Sequence, residues 1–232
     1  MNALIEKFST TTFHNMDSTS TNPMNIVANC IFFVCGLFFF LRQKYLIAII
    51  CFIAFANYSA INCNIGKTIS YTETNHDDEQ KETKKEQEQP IIDYLPRYLD
   101  WIITTPLLVL SLIHQSELKD TKIIFFLLVC DVLMIYTGYL ATLTNDPTLK
   151  LIMYFISCFF MFYIFITILR YNPPRLLISY FILIWLGYPI FWILHQTKAG
   201  INNDVYNYLI ASLDIIAKAG FGFLLLSYQK PF

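Results

Sequence analysis

Seven stretches of this chain are apolar for about the length that crosses a lipid bilayer, roughly twenty residues each. They occupy residues 25–41, 45–63, 94–113, 122–143, 149–169, 176–195 and 206–228. Inside hydrocarbon no water is at hand for the peptide groups, so a spanning segment of this length satisfies its backbone bonds internally, as an α-helix. The expected fold is therefore all-α: one bundle of seven transmembrane helices, integral to a membrane, with the lipid bilayer around it. Composition agrees, since 56% of the residues are hydrophobic and only 14% charged, far from the balance of a soluble domain.

Residues 1–23, rich in Ser, Thr and Asn, read as a disordered tail, and 24–232 as the membrane domain, with a hydrophilic loop at 64–92 between the second and third spans. The charged run at 77–88 in that loop is a solvated connection and carries no enzyme motif. The first span begins too far into the chain, and lacks the basic leader, to look like a cleavable signal. Cys30, Cys35, Cys51, Cys63, Cys130 and Cys158 all lie in or beside apolar spans. They read as packing residues, with neither a disulfide framework nor a metal spacing. Asn57-Tyr58-Ser59 matches a glycosylation acceptor but sits inside the second span. A net charge of −1 says little about partners, nothing in the chain resembles a nucleic-acid footprint, and no nucleic-acid partner and no enzyme activity are expected.

Orientation follows from the basic residues. With the N-terminus outside and the C-terminus cytoplasmic, the short inner connections hold Arg42, Lys44, Lys119, Lys122, Arg170, Arg175 and Lys230. Those on the other side fall mostly in the long loop, which weighs less in the positive-inside rule.

Lys218 stands in the middle of the last span, roughly 15 Å from either end at about 1.5 Å per residue, too far to snorkel to water. An amine in apolar surroundings gives up its proton readily and attacks an aldehyde to form a Schiff base. Asp214, four residues earlier on the same helix face, is placed to neutralise the resulting cation. A structural Lys–Asp pair that holds a bundle together is the other reading of these two residues, and both stay open on them alone.

The third span carries a second constellation, RYLDWIITTPLLVLS from Arg97 to Ser111. At about 100° per residue Thr104 falls about 40° from Asp100, Ser111 about 20° and Arg97 about 60°, so the four share one face. Asp100 and Ser111 are about 16 Å apart along the axis, roughly half the hydrocarbon thickness. The track thus runs from mid-membrane to one surface, with Arg97 on the other side of Asp100. A plainer reading makes Arg97 and Asp100 a buried ion pair, with Thr104 bonded back to its own helix. On the sixth span Trp185 and Trp192 are seven residues apart and nearly on one face. Taken alone, such a stripe is more often core than cofactor box.

Together these residues resemble the microbial (type 1) rhodopsins, the bacteriorhodopsin-like seven-helix proteins that bind retinal. Arg97-Tyr98-Leu99-Asp100-Trp101 followed by Thr104-Thr105-Pro106-Leu107-Leu108 matches that family's third-helix signature. Trp185, Tyr188, Pro189 and Trp192 match its sixth-helix aromatic box; Leu213-Asp214, Ala217-Lys218 and Gly220-Phe221-Gly222 match its seventh. The Ile-, Asn- and Lys-rich composition would suit a giant-virus member.

The resemblance implies all-trans retinal held covalently by Lys218 as a protonated Schiff base. It makes Asp100 the counterion and proton acceptor, Asp214 the second counterion, Arg97 the outer gate and Thr104 the hydroxyl partner of Asp100. Tyr58 and Tyr188 are placed by it to bond Asp214. Trp101, Trp185, Tyr188 and Trp192 would sandwich the polyene, beside Thr105 and Pro189. Asp131, Met134 and Gly138 match positions near the ionone ring, with Asp131 able to bond Thr105, and Ser157, Cys158 and Met161 complete that end. Leu108, apolar at a colour-tuning position, points to green rather than blue absorption. The family usually forms trimers or pentamers, which makes a homo-oligomer the expected assembly.

Departures bear on mechanism. Where many outward proton pumps of this family carry a carboxylic donor, this chain has Ser111, which supplies no proton at physiological pH. His114 lies one turn further on. The outer exit lacks a pair of glutamates and offers Asp93 and Asp204 instead. The triplet Asp100, Thr104, Ser111 fits neither a chloride pump, which lacks the acid at Asp100, nor the Asn-Asp-Gln pattern of a sodium pump. The expectation is a light-driven outward proton pump. Alternatives from other classes are a light-gated cation channel, against which the acid-free second span argues, and a sensory photoreceptor with a slow photocycle.

Overall fold

The computed structural model describes residues 22–70, 91–197 and 201–228. The proposed tail at 1–23, except for its last two residues, and the charged run at 77–88 lie outside them. Seven helical rods follow in order: α1 (Pro23–Leu41), α2 (Tyr45–Asn62), α3 (Leu95–His114), α4 (Thr121–Leu143), α5 (Pro147–Leu169), α6 (Arg175–Gln196) and α7 (Asn203–Leu226). Within α7, Ile216–Gly220 is a single π-helical turn.

Several rods begin before their apolar runs do. The side chains of Asn22, Asp120, Asp146 and Asn202 accept from Met24, Lys122, Thr148 and Val205 backbone N–H groups at 2.8–3.0 Å. Each satisfies an amide that has no carbonyl inside the helix. Pro23 and Pro147 occupy first positions, where the missing N–H costs nothing.

Each rod packs on the next, and α7 returns to α1, so the seven close into a ring. The outer surface is apolar: Phe155, Phe159 and Leu183 are 64%, 66% and 71% exposed. That is the reverse of a water-soluble protein and suits contact with lipid. Six rods are long and apolar enough to cross a bilayer by composition; α3 is the one left out. It carries Arg97 and Asp100, and both are buried at 1% exposure, so its polarity is turned into the ring.

The connection read as a hydrophilic loop is structured at its two ends. Strands β1 (Lys67–Ser70) and β2 (Ile91–Tyr94) pair antiparallel, with Lys67 opposite Tyr94. Tyr94 therefore ends a strand instead of opening the third helix. Gly66 makes the turn possible: its φ is +68°, and a Cβ there would lie 2.8 Å from Pro96 Cδ. Its carbonyl accepts from Leu95 N at 2.8 Å, tying the ribbon to the first residue of α3.

Candidate functional site

Lys218 is 1% exposed, and its Nζ donates to Asp100 Oδ2 while standing 3.7 Å from Asp214 Oδ1. The two carboxylates differ in what else they hold. Asp214 accepts from Tyr58 Oη at 2.7 Å, Trp101 Nε1 at 2.9 Å and Tyr188 Oη at 2.8 Å. Three rods thus fix it, and removing its charge would weaken three charge-assisted bonds. Asp100 Oδ2 accepts from Lys218, and among the described residues no donor lies on its buried Oδ1. A buried carboxylate oxygen that no protein donor holds is the place where a proton is most easily accepted.

The Thr104 hydroxyl donates to the Asp100 backbone carbonyl at 2.8 Å, bonding back to its own helix, and stands beside the Asp100 carboxyl. Thr105 and Ser111 turn back in the same way, to the carbonyls of Trp101 and Leu107 at 2.7 and 2.9 Å. In a dry helix the carbonyl four residues earlier is the nearest acceptor for such a hydroxyl. Ser111 is fully buried.

On the other side of Asp100, Arg97 pairs with Asp93 and not with Asp100. Its Nη1 lies 3.3 Å from Asp93 Oδ1 and its Nη2 donates to Asn207 Oδ1 at 2.9 Å. Asp93, on β2, also accepts from Tyr98 Oη at 2.9 Å and Tyr94 N at 2.8 Å. The strand pair therefore delivers the anion that holds Arg97 away from the centre. Beyond it, the buried His195 ring stacks on Tyr206 with centroids 3.9 Å apart, and its Nε2 lies 3.0 Å from Asn203 Oδ1. Asp204 sits in the first turn of α7 and is not among these contacts. Sequence reasoning missed Asn207, Tyr206 and His195. The spacing of Asn207, Asp214 and Lys218, seven and then four residues, was the available signal, since it puts all three on one face.

Lys218 opens into a cavity walled by five rods. From α3 come Trp101, Thr105 and Leu108; from α4, Met134 and Gly138; from α5, Ser157, Cys158 and Met161; from α6, Trp185, Tyr188, Pro189 and Trp192. Tyr58 and Asp131, expected to bond Asp214 and Thr105, do so from behind the wall. Thr105 Oγ1 is 2.7 Å from both Trp101 O and Asp131 Oδ2. The Thr105 hydroxyl thus ties Asp131 on α4 to α3. Tyr98, Tyr154 and Tyr206 join the wall unforeseen, and Tyr154 stacks on Trp192 with centroids 5.3 Å apart. Among the described wall residues Lys218 alone is charged. A mostly apolar cavity with one amine in its wall suits a hydrocarbon with a carbonyl end.

Comparison with known proteins places these features in context. Residues 21–231 match the family described as bacteriorhodopsin-like protein. Archaerhodopsin-2 from Halobacterium sp. (strain aus-2) is 33% identical over 150 residues, 57% of this chain and 56% of that one. The chain thus spans little more than half the length of the curated relatives it matches. Among solved structures, a light-driven proton pump from Leptosphaeria maculans superposes with a TM-score of 0.76 at 23% identity, covering 92% of this chain and 95% of that one. Halorhodopsin, a light-driven chloride pump, does so at 0.77 and 18% identity, covering 92% and 96%. At these identities the structures speak for the fold.

Proposed function

This chain belongs to the bacteriorhodopsin-like family, and from that premise we propose that it is a light-driven pump that moves protons outward across its membrane. The family's cofactor is retinal, bound covalently by a lysine; the aromatic slot fits that polyene, and Lys218 is the amine in its wall. Bound there, retinal supplies absorption of visible light and a light-driven twist at Nζ.

The residues do the rest. Lys218 Nζ carries the proton to be moved. Asp100, in contact with Nζ and with no donor on its other oxygen among the described residues, takes that proton when Nζ turns. Asp214 stays anionic, held by Tyr58, Trp101 and Tyr188, and compensates the charge left behind. On the far side Arg97, swung between Asn207 and Asp93, offers a positive charge that favours departure of a proton in that direction. At the other end Ser111 supplies none, so Nζ regains its proton from water, slowly and with a strong dependence on pH.

The observation that carries this reading is the contact of Nζ with a carboxylate that has one oxygen free. A chloride ion beside Nζ would meet that carboxylate at close range, which favours protons over chloride. We place the N-terminus outside, take 24–232 as the retinal-binding unit, and expect a homo-oligomer.

External pH of illuminated cells that express the chain with added retinal, with and without a protonophore, tests the proposal. Acidification that the protonophore abolishes is expected. A passive flux that reverses with membrane potential would make the protein a channel, and no flux at all a sensor.

A further inference from the structure

Rod α7 changes its winding at one place, the π-helical turn Ile216–Gly220, and Lys218 is the central residue of that turn. A π turn inserts one residue into the helix and displaces its carbonyls from their usual donors. Here Phe221 N–H donates to the Ile216 carbonyl, five residues back. A second donor reaches the same oxygen from α6: Tyr180 Oη, at 2.8 Å. Room for that hydroxyl depends on Gly220, because a Cβ there would lie 2.4 Å from Tyr180 Oη. The hydrogen bond and the missing Cβ are separate observations about one contact.

We infer that Tyr180 is a positioning residue: its hydroxyl holds the Ile216 carbonyl on the outer side of the widened turn and so sets where Lys218 Nζ stands between Asp100 and Asp214. The backbone of Lys218 is clamped from both sides. Asp214, four residues before it, is bound to α2, α3 and α6. Ile216, two residues before it, is bound to α6 again through Tyr180. A twist imposed at Nζ is then absorbed by the lysine side chain and not by the helix, which returns Nζ to the same carboxylates after each event. The consequence for proton return rests on the reading of Lys218 as the retinal lysine; the clamp itself does not.

The test compares Tyr180→Phe, Gly220→Ala and the double variant. Three quantities are measured: the infrared band of a carbon-13-labelled Ile216 carbonyl, the absorption maximum, and the half-time of proton return to Nζ after a flash. In Tyr180→Phe the carbonyl band rises in frequency, the absorption maximum moves, and proton return slows by about three- to tenfold, the scale of one hydrogen bond. Gly220→Ala gives the same pattern by displacing the hydroxyl. The double variant is no worse than Gly220→Ala, since the atom that its Cβ would strike is gone. An unchanged carbonyl band in Tyr180→Phe overturns the clamp. A moved band with unchanged spectrum and proton return overturns its positioning role. If neither the parent chain nor any variant takes up retinal, the functional reading fails, and the carbonyl band alone then decides the clamp.

Discussion

Two carboxylates face one ammonium at the centre of this protein, and what separates their roles is the number of other donors each one holds. Asp214 is saturated by three; Asp100 keeps an oxygen with none among the described residues. Asp100→Asn is therefore expected to abolish light-driven acidification, a loss of about a hundredfold or more, whereas a variant that still acidifies the medium would remove Asp100 from the path. Lys218→Ala should give a colourless protein with added retinal, and a persisting visible band would displace the cofactor from that residue. Ser111→Asp puts an acid where the hydroxyl now turns back to Leu107. It should shorten proton return by about tenfold and flatten its pH dependence between about pH 6 and 8, read by flash spectroscopy across that range. At this scale spacing along a helix put Lys218 with Asp214 and Asp100 with Thr104 and Ser111, and the family resemblance joined the two sets. The sequence did not reveal that Arg97 would find Asp93, since that depends on where atoms of another element fall.

At the scale of elements the apolar runs marked the rods closely, while their ends were set by chemistry outside the runs. Asn22, Asp120, Asp146 and Asn202 start their helices as side-chain caps, and hydrophobicity says nothing of a cap. Rod α3 is the instructive case. By composition it is the least suited to a membrane, yet its buried Arg97 and Asp100 place it within the ring. The strand pair before it was not legible, because its two halves are separated by a long hydrophilic stretch and pair only when the ends of α2 and α3 come together. Gly66→Ala tests its importance. With a positive φ and a Cβ pressed against Pro96, alanine should cost about 1–2 kcal/mol and shift Asp93 relative to Arg97. A lower melting temperature of the pigment together with delayed proton release is the expected result, and a change in neither would make the ribbon incidental.

For the whole molecule the decisive quantity is the environment of its outer face. Phe159 lies near the middle of α5 and is 66% exposed; in water that would be a liability, and in lipid it is ordinary. Phe159→Asp should raise the cost of insertion by about 2.5–3.5 kcal/mol, seen as less pigment in the membrane fraction, while the same change in a water-facing residue would be silent. The closed ring of rods also keeps the central polar groups away from hydrocarbon.

The sequence by itself determined the number of spans, their helical nature and the placement of a mid-span lysine one turn after Asp214. These follow from the length of apolar runs and from helical periodicity, which are local properties of a chain in lipid. Tertiary structure decided which of the aspartates has a spare oxygen, which anion holds Arg97, and that Tyr180 reaches the turn of Lys218 through the gap at Gly220. Those are contacts between rods far apart in the chain, and they exist only once packing has fixed distances that no spacing along one helix contains.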